Sequence, residues 1–170
     1  MYTRHSLLFI LLTFVMASVF SQETGKKTKQ ERDLEKQKQT EELVNSKIFL
    51  FTASTAFSQR GRAINLTSNP NTIVFSPDLI SSDLPFFGRA YSGVTYGESS
   101  GYTFEGKPEE FTIEPAKKGY EIKAVVRTSK DSYTINLLVS SGGSSSLTIS
   151  SNNLSTMSYS GEISKTEEKK

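Results

Sequence analysis

With 170 residues, 20 basic against 18 acidic side chains and no cysteine, the chain has room for one ordinary domain and accessory ends. The absence of cysteine excludes disulfide bracing and lipid attachment through a cysteine at a signal cleavage site. The near-balance of charge argues against a nucleic-acid binder, which concentrates Lys and Arg on one face.

Residues 1–21 read as a cleaved export signal. Arg4 supplies a short basic start, Leu7–Val15 is an unbroken apolar run, and Val19 and Ser21 are small residues at the right spacing for a cut before Gln22. Leu7–Phe20 is 14 residues, short of the roughly 20 needed to span hydrocarbon, so a membrane anchor is the weaker reading. The protein is therefore expected to be periplasmic or secreted, with no transmembrane segment once the signal is removed. Only Arg4 among the counted charges leaves with that segment, which leaves 19 basic against 18 acidic residues.

Residues 22–46 form a charged linker and a helix. Gln22–Gln30 has almost nothing to bury and is expected to be a disordered tether. Glu31–Ser46 contains good helix formers, but Leu34, Leu43 and Val44 make only a thin apolar stripe. Its last turn, Leu43 and Val44, is expected to dock on the domain that follows. Sustained heptads are missing, so a coiled coil is not supported.

From residue 47 to 164 the period is two, and about ten strand segments follow. Ile48–Phe57 alternates, with Phe49, Phe51, Ala53 and Phe57 on one side. Short strands are expected over Ala63–Thr67 and Thr72–Ser76, the second ending at Pro77-Asp78. Leu84–Gly106 is the richest stretch in rings and glycines and reads as a long strand, a reversal at Gly97–Gly101, and a second strand. Glu110–Glu114 gives one more. Tyr120–Thr128 then opens a four-strand meander whose inward faces run through Tyr120, Ile122, Ala124 and Val126, then Tyr133, Ile135, Leu137 and Val139, then Leu147 and Ile149, then Met157, Tyr159 and Ile163. Residues 165–170 form a charged tail. The fold is expected to be all-β: an antiparallel meander forming a small barrel or strongly curved sheet, with one N-terminal helix.

The only histidine, His5, lies in the signal, so a Ser-His-Asp or Cys-His nucleophile is excluded from the rest of the chain, as are the usual zinc and copper ligands. No cofactor is expected. Oxygen-only groups such as Glu109, Glu110 and Glu114, or Asp78 and Asp83, lack the spacing of a calcium loop, and no metal site is assigned. Glu98 and Glu105 flank one hairpin and bear on a carboxylate-dependent hydrolase acting on glycans, a weak alternative because any pair of charged strands offers as much. A ligand-binding set is formed by Arg89, Tyr91, Tyr96, Tyr102 and Phe104, in which Arg89 would clamp an anion beside a small apolar or carboxylated ligand. The competing reading places the rings in the core and the Arg89 guanidinium on buried acceptors, and it is preferred. Asn65 and Asn153 match glycosylation acceptor patterns and are read as turn and strand polar residues. The domain is thus expected to be a non-enzymatic binding or structural module, its partner a small molecule or envelope protein.

The strings LPFFGRAYSG, GYTFEG, GYEIK and SNNLSTMSYSGEI resemble a family of secreted proteins of Gram-negative bacteria, chiefly Bacteroidetes, known as a domain of unknown function. The likeness covers about Lys47 to Ile163, and members often have tyrosine where Phe86 stands here. The resemblance implies an export signal, a charged spacer and one β-rich domain. It carries no activity or catalytic residues to this chain.

Overall fold

The computed structural model describes residues 28–58, 61–67, 71–91 and 101–166. The expectations for the signal segment, Tyr96, Glu98 and the last four residues lie outside them. Residues Asp33–Lys170 form one compact unit, and Met1–Arg32 a separate one.

The helix α1 runs from Lys29 to Ser46 and starts two residues before the expected point. Its start is a capping box: the Thr28 amide donates to the Glu31 carboxylate at 2.8 Å, and the Glu31 amide to the Thr28 hydroxyl at 3.3 Å. At the other end Lys47 takes the left-handed conformation, φ 59°, and ends the helix. Val44 is fully buried in the hydrophobic core and Leu43 packs against it. Thr40, one turn earlier, is also buried.

Among the described residues ten strands follow: β1 Phe49–Phe57, β2 Ala63–Asn65, β3 Thr72–Phe75, β4 Ile80–Pro85, β5 Gly101–Gly106, β6 Pro108–Ala116, β7 Gly119–Arg127, β8 Ser132–Ser140, β9 Ser144–Ser151 and β10 Met157–Ser164. They make one antiparallel sheet in the order β5-β4-β3-β1-β10-β9-β8-β7-β6, with β2 paired to the end of β1. The two ends of this path, β5 and β6, are separated in sequence only by Lys107. The chain therefore pairs with β4 before Lys107 and with β7 after it. One bent strand joins the two ends of the sheet, and the sheet curls into a nearly closed barrel. The space of a Cβ on Gly106 is already taken by the Val126 side chain, so the bend needs glycine there.

The barrel interior is filled by alternate side chains of the strands other than β2 and β6. Phe49, Phe51, Phe75, Tyr102, Ile122, Leu137, Leu147 and Tyr159 are all fully buried. Phe49 stacks on Phe75 with ring centres 5.0 Å apart, and Phe104 on Tyr133 at 3.9 Å. The meander β7–β10 follows the expected phase, because its strands are long and its turns short.

Two expectations fail for identifiable reasons. A bulge in β1 between Ala53 and Thr55 shifts the alternation by one residue, so Ala56 enters the core and Phe57 is exposed. The long strand expected from Leu84 stops at Pro85, the end of β4, and residues 86–91 join the sheet only through a single bridge between Ala90 and Leu154. The expected reversal at Gly97–Gly101 lies outside the described residues up to Gly101. β5 pairs with β4 instead, from Ile80 opposite Gly106 to Pro85 opposite Gly101. Proline has no amide donor for a ladder, and Gly88 packs against Ser155 and Phe86 where a side chain would clash.

Candidate functional site

The aromatic stretch is not gathered into a pocket. Tyr102 and Phe104 point into the core, Phe86 meets Tyr102 edge-on at 5.5 Å, while Phe87 and Tyr91 are exposed. Arg89 departs from the expected structural role. Its side chain is exposed, and its backbone is what engages: the Arg89 amide donates to the Ser155 hydroxyl and the Ser155 amide to the Arg89 carbonyl, both at 2.9 Å. An exposed guanidinium does not satisfy buried acceptors. Small neighbours, Gly88 and Ala90, let the backbone lie close to 153–155 rather than making room for the arginine side chain. Of the five ligand-binding candidates, Tyr102 and Phe104 are thus core residues, Arg89 and Tyr91 lie on the surface, and Tyr96 falls outside the described residues.

Three hydroxyls and one carboxylate tie this end of the barrel together. The Tyr102 hydroxyl donates to the Ser155 carbonyl at 2.8 Å and the Tyr159 hydroxyl to the Pro85 carbonyl at 2.8 Å. Ser82 donates to the Tyr102 carbonyl at 2.7 Å. Burial pushes the Tyr102 and Tyr159 phenols well above their ordinary range, and burial also raises Tyr133, with the nearby Asp131 carboxylate adding to the effect on Tyr102 and Tyr133. Asp131, in the β7–β8 turn, accepts from the Ser132 amide at 2.8 Å and from the Asn152 amide at 3.1 Å, which links that turn to the β9–β10 loop. On the outer face of β7, the Asn136 amide at 2.8 Å and Lys123 at 3.2 Å hold the Glu121 carboxyl below its usual range.

A concavity among the described residues lies elsewhere. A groove of about 960 Å³ is lined by Thr52 and Ser54 of β1, Ser160 and Glu162 of β10, Ser144 and Ser146 of β9, Leu138 of β8, and the β6–β7 turn with Lys117 and Lys118. The floor is made of outward positions: Thr52, Ser54, Leu138, Ser144, Ser146 and Glu162 are exposed, while their strand neighbours Ala53, Val139, Ser145 and Leu147 are buried. Its concavity has a backbone cause. A Cβ at Gly161 would run into the Thr52 carbonyl, and one at Gly119 into the Val139 carbonyl. Glycine at both positions lets neighbouring strands approach closely, and the β1 bulge lies beside Gly161 at the β1–β10 pairing.

Chemically this groove offers hydroxyls, each able to donate and accept, one exposed leucine, two ammonium groups and one carboxylate. Among the described residues Glu162 is the only acidic side chain lining it. Glycoside hydrolysis by a carboxylate pair requires two carboxyls about 5 to 10 Å apart in a cleft, and the groove lining supplies one. Glu105 is on the exposed side of β5, and Glu98 lies outside the described residues. The groove residues did not stand out in the sequence. A readable hint exists in retrospect: β9 and β10 carry Ser144, Ser146, Ser158 and Ser160 at strand positions where bulkier β-formers are usual, with Gly161 inside the strand.

Fold and surface define a small antiparallel barrel with a filled interior, an N-terminal helix and a hydroxyl-floored outer groove. The chain belongs to the domain of unknown function family DUF4251, whose model matches residues 31–163. It is similar to the crystal structure of a DUF4251 family protein from Bacteroides eggerthii at 21% identity, over 75% of this chain and 86% of that one, with a TM-score of 0.60. That likeness supports the fold. No curated protein matches the chain.

Proposed function

We propose that this protein is an exported, non-enzymatic binding domain of the bacterial envelope, and that the outer groove is where it holds its ligand. The groove carries the reading. The barrel interior is packed with buried side chains, so a carrier that encloses an apolar ligand among Tyr102 and Phe104 is not supported. The surface concavity, by contrast, has the size of a small-molecule site. Its lining presents mostly apolar surface with hydroxyls set into it, which suits a ligand that joins an apolar body to polar groups, and the one carboxylate among the described lining residues favours binding over hydrolysis. Export rests on the composition of residues 1–21. Among the described residues no helix is long and apolar enough to cross a membrane.

The test is native mass spectrometry on protein purified from its own envelope fraction, with Ser146→Trp as partner variant. Ser146 is exposed on the groove floor, so the indole fills the concavity without entering the core. Wild type is expected to retain a bound species that the variant lacks at unchanged thermal stability. A wild-type protein that carries nothing, or a variant that retains the same species, would sink the proposal.

A further inference from the structure

The nine-residue strand β6 is the longer of the two strands at the ends of the sheet path. Among the described residues it pairs with β7 alone, leaving its second edge unpaired. Its inward residues Phe111 and Ile113 touch the core yet are only partly buried, because no strand lies beside them. Its outward residues are Glu110, Thr112 and Glu114, all exposed. The cross-strand neighbours do not neutralise these carboxylates: Lys123 pairs with Glu121, and Arg127 with the bulged Glu109. Among the described residues neither Glu110 nor Glu114 has an ion-pair partner.

An unpaired edge of this length is a template for an added strand. Charge decides which strand. The fully overlapped antiparallel self-pairing, centred on Thr112, would set Glu110 against Glu114 twice, and like charges directly opposite are destabilising. A second copy of this edge is therefore disfavoured. Pro108 and Pro115 bound the available ladder at both ends, which confines an added strand to the six residues between them.

We infer that the β6 edge is a docking surface for an extended polypeptide of a partner protein, with Lys or Arg at alternate positions opposite Glu110 and Glu114 and apolar residues between them. Those apolar residues would lie beside Phe111 and Ile113 and complete the burial of the barrel's open flank. Backbone pairing would supply affinity, and the alternating charge would fix register and exclude acidic strands. The surface is separate from the groove, whose lining takes no residue from Pro108 to Pro115.

The test uses the full chain with two probes, an alternating lysine–valine octapeptide and its glutamate–valine counterpart. Binding is read by fluorescence anisotropy at low salt, and the site by hydrogen exchange. The lysine peptide is expected to bind, and to slow exchange over 108–116. The double variant Glu110→Lys/Glu114→Lys should weaken it by about tenfold and favour the glutamate peptide. Those carboxylates are exposed, so the variant should fold normally. Equal binding of both peptides by wild type, protection lying elsewhere, binding indifferent to the charge reversal, or a dimer that protects 108–116 without peptide would each overturn the inference.

Discussion

Tyr102→Phe removes one oxygen from the middle of the barrel and leaves the ring in place. The phenol is fully buried and donates to the Ser155 carbonyl at 2.8 Å, and Ser155 is itself 1% exposed. Without the hydroxyl that carbonyl loses its partner where water cannot readily replace it. The cost is expected at about 1–3 kcal/mol, the usual penalty for a buried acceptor left unpaired. For a domain of this size that corresponds to a fall in melting temperature of about 3–12 °C. Urea denaturation at neutral pH, followed by far-ultraviolet circular dichroism, measures the change in midpoint. Tyr91→Phe is the control, since Tyr91 is 65% exposed and should not respond. If the Tyr102 variant unfolds at the same urea concentration as the control, the hydroxyl does not hold the Ser155 loop and the reasoning fails.

High pH should probe the same tyrosines: Tyr102, Tyr133 and Tyr159 have raised native pKa values against an ordinary 10.0, so above that pH the unfolded chain releases protons that the native one keeps. Their contribution is whole below pH 10 and is lost as pH climbs beyond it, so stability should fall there, less steeply in Tyr102→Phe/Tyr159→Phe. Val44→Ala removes two methyl groups from a fully buried site and should cost about 2 kcal/mol in a urea titration, whereas Leu34→Ala, on the exposed face of α1, should cost little. Gly161→Ala forces a methyl into the Thr52 carbonyl and should destabilise by about 1–3 kcal/mol or more; a neutral result would show that β1 and β10 are not closely apposed there. Asp131→Ala releases the amides of Ser132 and Asn152 and should cost about 1–2 kcal/mol, with faster hydrogen exchange in the β9–β10 loop.

The meander from β7 to β10 was readable because it depends on local information. Each strand is long enough to show several turns of period two, and each turn closes within a few residues. Ile122, Ala124, Val126, Tyr133, Ile135 and Leu137 consequently fall inward as their spacing predicts. The helix was readable for the same reason, and the capping box of Thr28 and Glu31 starts it earlier than its apolar stripe implies. What period two does not reveal is where the phase slips. The bulge after Ala53 exchanged Phe57 for Ala56 in the core, and nothing in the side chains of TAST announces an extra residue. Residues 86–91 failed differently. Their rings satisfy a strand's composition, but Pro85 and the Ser155 contacts draw the chain across the barrel end instead.

The same distinction accounts for the aromatic candidate set, whose rings Tyr102 and Phe104 lie in the core, as the preferred reading has them. A search by ring density and a lone arginine selects residues with large surfaces, and in a small barrel large surfaces are the ones used to fill the interior. Phe104 stacks on Tyr133 there and Tyr102 meets Tyr133 edge-on, because a curled sheet of this size leaves a space that Ser and Val cannot fill. Arg89 contributes its peptide group, which any residue but proline would offer. The groove is made the opposite way, from residues that leave space: serines on the outward positions of β9 and β10, and Gly119 and Gly161 beneath neighbouring carbonyls. The edge of β6 is made from missing pairing in the same sense. On a barrel whose interior is filled, the surfaces available for recognition are those where small side chains and unpaired backbone leave room for something else. Enlarging a side chain in the groove or reversing a charge on β6 should therefore alter binding at little cost to folding, whereas changes to the buried rings should do the reverse.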